Sequence, residues 1–81
     1  MAIQEFEGKS IRVIDFSDAL AAERVIEFRY IEAVPSDSFM AIVIPDGEGW
    51  AAAKVSLDPR NPEVSVGIMS WALNVAQEMV K

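Results

Sequence analysis

The chain has no cysteine and no histidine in 81 residues, and each absence closes off chemistry. Without cysteine there is no disulfide, no thiolate nucleophile and no soft metal ligand. Without histidine the usual proton shuttle near neutrality is missing, as is the commonest metal ligand. Zinc centres and serine–histidine triads are therefore excluded, and no cofactor or metal is implied. Long apolar runs are lacking too. The longest, Phe39–Ile44, falls far short of the about 20 residues needed to span a membrane as a helix. The N-terminal MAIQEFEGKS does not have the basic-then-apolar order of a secretory signal. A cytoplasmic location is the default expectation, and the lack of cysteine neither supports nor opposes it.

Positive charge is thin. Seven basic residues stand against thirteen acidic ones, for a formal charge of −6. Lys9, Arg12, Arg24, Arg29, Lys54, Arg60 and Lys81 are scattered, with no cluster in any window. Proteins that bind DNA or RNA neutralise phosphates with a basic patch, so direct nucleic-acid binding is not expected. An acidic surface keeps an apolar small protein in solution, and it also suits a basic protein partner.

Apolar residues make up 52% of the chain, above the usual share of roughly 45–50%. With no covalent staples, a single α+β domain over residues 1–81 must be held by packing, with oligomerisation as a further source of stability. Ile3–Glu7 and Ser10–Phe16 read as strands joined at Gly8-Lys9, since Ile11 and Val13 alternate with Arg12. Ser17–Ala22 allows a short helical turn, with a capping residue ahead of alanines. Over residues 24–33, Ile26, Phe28 and Tyr30 fall on one face of a strand and Glu27 and Arg29 on the other, whereas a helix would scatter the charges. Phe39–Ile44, apolar throughout, predicts a strand buried on both faces. Pro45–Gly49 then reverses the chain, and Trp50–Leu57 returns as its hairpin partner.

The last segment predicts a long helix. Asn61 is placed to cap it, Pro62 suits the first helical position and Glu63 the positive end. Glu63, Gly67, Ser70, Asn74, Gln77, Glu78 and Lys81 share a polar arc, while the apolar residues cover roughly 220°, about twice what packing on one sheet requires. The expected architecture is an antiparallel sheet of four to five short strands with this helix on one face. Two surfaces then carry surplus apolar area, the flank of the helix and the second face of strand 39–44. Such patches mark interaction sites. A homodimer or an obligate partner is the expectation, the alternative being a monomer whose sheet wraps its helix.

Candidate sites are few. Asp46 and Glu48 with Asp58 offer oxygen ligands to a hard cation, but they lack the alternation of a calcium loop and read as a solvated turn. The pairs Glu5/Glu7 and Glu23/Glu27 are better explained as solvent-facing charge that blocks edge pairing than as an acid–base pair. Trp50, following a glycine-rich loop, is either a binding anchor or a lid on the sheet edge, and tryptophan is enriched in interfaces. Tyr30, Arg29 and Arg24 form a possible polar partner face, and Met69 and Met79 fill gaps in the core or at an interface. The partner-binding candidates are Trp50, Tyr30, Arg29, Met69 and Met79.

The stretches Phe6–Ile14 and Asp46–Lys54 resemble the opening of the phage BRO-N domain. Here 31 residues lie between the two pieces, so the resemblance transfers neither fold nor site residues. The functional expectation is a small acidic, non-enzymatic protein-binding module, inhibitor-, immunity- or adaptor-like. A self-assembling structural subunit is the alternative, and a small-ligand binder or carboxylate-based enzyme comes third.

Overall fold

The computed structural model describes residues 2–6, 8–31 and 38–80. Five strands, β1 (Ala2–Phe6), β2 (Lys9–Asp18), β3 (Glu23–Tyr30), β4 (Ser38–Pro45) and β5 (Lys54–Leu57), form an antiparallel meander in sequence order. The helix α1 (Val66–Met79) lies across one face. This is the expected α+β class with the helix where the sequence places it.

Each hairpin has a local cause. Phe6 pairs with Lys9, and Gly8 between them sits at φ +78°, a left-handed value that glycine takes without strain. At the β2–β3 end, Asp18 pairs with Glu23 and its Oδ1 accepts from the backbone N–H of Leu20 (3.1 Å) and Ala21 (3.2 Å). In place of a short helical turn near 17–23, residues 19–22 form a hairpin turn between strand residues, because the aspartate satisfies the turn's own amides. Ala22 closes the turn at φ 54°, where a Cβ is unfavourable.

Side chains alternate across the sheet. Ile11 and Val13 of β2, Ile26 and Phe28 of β3, and Met40, Ile42 and Ile44 of β4 point to the helix side and are buried. The register shifts between Phe28 and Arg29, with Phe28 opposite Met40 and Arg29 opposite Ser38. That bulge sends Phe39 into the same core as Met40, which is part of the reason β4 reads as apolar at every position. The remaining part differs from expectation: Ala41 and Val43 face away from the helix and are half-buried, so β4 is covered on one face only.

Two boundaries also differ. The return strand is Lys54–Leu57, and Trp50–Ala52 forms a 3-10 turn instead, since an alanine run favours strands weakly. The helix begins at Val66 with Ser65 as its cap, the Ser65 hydroxyl accepting from Ile68 N–H at 3.1 Å. Asn61 is held in a separate turn by its N–H bond to the Asp58 carbonyl. Val64 and Met69, at the two positions of a hydrophobic staple, both pack on the core.

Ile68, Ala72 and Ala76 form the buried line of the helix, flanked by half-buried Met69, Trp71, Leu73, Val75, Met79 and Val80. Gly67, Ser70, Asn74, Gln77 and Glu78 are exposed, as the polar arc requires. The wide apolar arc is therefore absorbed within the chain, except for Val66, which is 82% exposed. Trp71 extends the cover sideways, with ring centroids 5.4 Å from Phe6 and 5.8 Å from Phe28.

Two substitutions test this packing by urea denaturation. Ala72→Leu, at a position with no exposed surface, is expected to destabilise by about 1–3 kcal/mol through overpacking. Ala22→Gly is expected to be neutral or to stabilise by up to about 1 kcal/mol, the relief of a left-handed alanine outweighing the added freedom of the unfolded chain.

Candidate interaction surfaces

The sheet has a second face, and among the described residues no element covers it. By register it carries Ile3 and Glu5 on β1, Arg12, Ile14 and Phe16 on β2, and Val25, Glu27 and Arg29 on β3. Ala41 and Val43 on β4 complete it, with Lys54 and Ser56 at the far edge. Phe16, Val25 and Val43 line up across three strands, with Ile14 in the adjoining row. Ile3 is 59% exposed and Phe16 40%. Val25, in the middle of its row, is nearly buried by its neighbours.

Charge on this face is arranged unevenly. Arg29 donates from Nε and Nη2 to Glu27 Oε2 at 3.3 and 2.8 Å. Arg12 lies directly opposite Arg29 in the ladder, an unfavourable like-charge pairing. Its Nε is buried with no hydrogen-bond partner.

A second feature lies on the helix side, at the end of the sheet near the β2–β3 turn. A cavity of about 370 Å³ opens between the residue 45–49 loop, Trp50 and the last turn of α1. Ile44, Trp50 and Val80 supply its apolar wall, and Arg24, Asp46, Glu48 and Gln77 its polar lining. Arg24 is held from both sides. Its Nε and Nη2 donate to the Asp15 carboxylate at 2.9 and 2.6 Å, and Nη2 also reaches the Met79 carbonyl at 3.2 Å. The hydrogen bond from Arg24 holds the Asp15 carboxyl below its usual range, and the same bond raises Arg24.

The five partner-binding candidates do not converge. Arg29 belongs to the open face, while Tyr30, one residue on, belongs to the helix side. The Tyr30 ring stacks on Phe39 at 4.2 Å and 16° with the Lys9 ammonium 5.1 Å above it. Burial pushes its phenol up, so it stays neutral at ordinary pH. Met69 and Met79 pack on the core at the helix flanks. Trp50 is half-buried, packs on the core and lines the cavity, which joins the two readings of it. Sequence reasoning missed Ile14, Phe16 and Val25 as one surface, although their alternation with Asp15 and Arg24 carried the signal.

Of the carboxylate pairs, Glu7 lies outside the described residues. Asp58 is engaged by Arg60, chiefly through the backbone N–H (3.0 Å), which lowers its carboxyl. Among the described residues no three acidic groups gather as a metal site, and no helix is long and apolar enough to cross a membrane. Comparison with protein families, with curated proteins and with solved structures returns no match.

The Asp15–Arg24 pair gives a pH signature. A depressed carboxyl contributes stability that is present above its unfolded value, about 3.9, and is lost as pH falls through the folded value. The raised Arg24 titrates too high to enter. The stability difference between wild type and Arg24→Met, measured by urea denaturation, should hold from about pH 5 upward and shrink below about pH 4.

Proposed function

We propose that this chain is a small acidic, non-enzymatic protein-binding module that acts through a preformed surface, in the manner of an inhibitor, immunity protein or adaptor. The observation that carries the reading is the uncovered sheet face, with Ile3 and Phe16 exposed beside Ile14 and Val43. A partner seated there would remove apolar surface from water without any change in the fold, and rigid faces of this kind bind with little loss of freedom. Five strands of four to ten residues, about 4.8 Å apart, present an area on the order of 500 Å². This is below the about 800 Å² per side of a standard interface. Binding through this face alone would be modest in strength and reversible.

One observation favours the second reading, self-assembly into a dimer. Among the described residues Arg12 Nε has no hydrogen-bond partner, and Glu5 is exposed on the same face. In two-fold opposition the same patch would meet itself, and the charges it carries, Glu5, Arg12, Glu27 and Arg29, are of both signs.

Light scattering from micromolar to millimolar protein, on wild type and on Phe16→Glu, separates these readings. Mass that doubles in wild type and stays monomeric in Phe16→Glu supports the dimer. For a monomeric wild type, a photo-crosslinker at position 16 should trap one discrete protein from the source cells, and one at the exposed helix position Asn74 should not. The same background at both positions would sink the module reading.

A further inference from the structure

The cavity beside Trp50 has a chemistry of its own, independent of the open sheet face. Its volume of about 370 Å³ lies within the range of small ligand sites. The only basic group in its described lining, Arg24, is neutralised by the two-point contact to Asp15 and by the carbonyl at the end of α1. The charge that remains is negative: Asp46 and Glu48, both exposed on the loop. The indole of Trp50 supplies an aromatic surface, the preferred partner of a cation among side chains, and Gln77 offers an amide oxygen.

We propose that this cavity binds a cationic head group, a guanidinium or an ammonium, stacked on Trp50 and neutralised by Asp46 and Glu48. That chemistry comes either from a basic side chain of a protein partner or from a free amine. The proposal goes beyond the protein-binding reading, and a cavity that took only free amines would leave the sheet-face argument untouched.

The test is an NMR titration of the full chain, isotope-labelled, following the Trp50 indole N–H and the Gln77 side-chain amide. N-acetyl-arginine amide is expected to shift both signals in a saturable way, and its uncharged isostere N-acetyl-citrulline amide is not. The double variant Asp46→Asn/Glu48→Gln changes only exposed loop side chains, so its spectrum should remain that of the folded protein. It should weaken arginine amide by about 3–10-fold, as expected for losing two solvent-exposed charge contacts. Equal shifts from citrulline amide, no shift at either probe, or unchanged affinity in the folded double variant would overturn the proposal. Given cation binding, an arginine-containing peptide that outcompetes agmatine assigns the site to a partner's side chain. The reverse order assigns it to a free amine.

Discussion

One helix can cover one face of a sheet, and the rest of this structure follows from that limit. An α-helix is about 10 Å across, while five strands about 4.8 Å apart span roughly 20 Å. Ala72 and Ala76, both with no exposed surface, let the backbone of α1 come close to the middle of the sheet. The outer strands lie beyond its reach, and large side chains fill the difference. Trp71 meets Phe6 of β1 on one side, and Phe39, delivered by the β4 bulge, stacks on Tyr30. The apolar arc that is too wide for a flat sheet is used up in this way. Among the described residues the opposite face has no second helix to meet, and its apolar row remains open.

Anchoring the helix depends on a residue from elsewhere in the chain. α1 carries no acid in its first turn and no base in its last, so within those turns its dipole has no complement. Arg24 supplies one from β3, bonding the Met79 carbonyl while fixed by Asp15 on β2. One guanidinium thereby joins two strands and the helix end. Exposed ion pairs add little to stability, but this one also sets where the last turn of α1 sits. It therefore helps to define the cavity against the residue 45–49 loop.

The strands β1 to β4 and the helical face were legible because alternation and the 3.6-residue period survive in single residues: Ile11 and Val13 about Arg12, Gly67 and Ser70 opposite Ile68 and Ala72. The misread places share a cause. At Trp50–Ala53 the pattern was compatible with a strand, and low strand propensity together with packing of Trp50 on the core decided otherwise. At Asn61–Pro62 a good cap was present, but Ser65 lay where Val64 could pack. The bulge at Phe39 was hidden because an all-apolar run looks the same with or without a register shift. Of the candidate sites, Trp50 is singled out by residue type and its place after the glycine-rich loop, and Arg24 is named only with Tyr30 and Arg29 for a polar face. Their convergence on one cavity was not legible, since Trp50 and Gln77 meet only through the tertiary fold.

The open face carries a feature that stability does not explain. Arg12 stands opposite Arg29 in the centre of the sheet, Glu27 serves Arg29, and Arg12 Nε is buried without a hydrogen bond. A buried donor left unmade costs about 1–3 kcal/mol, and a threonine or valine would suit the same strand position better. Nothing within the described fold offsets that cost. Because Nε is buried, a carboxylate on a docking surface cannot reach it, and the cost stays with the fold. In the proposed association, exposed Phe16 and half-buried Val43 would supply the apolar area, with Val25 already buried between them. Asp46 and Glu48 of the cavity lie on the helix side, so the two proposed surfaces are separate in place and differ in charge.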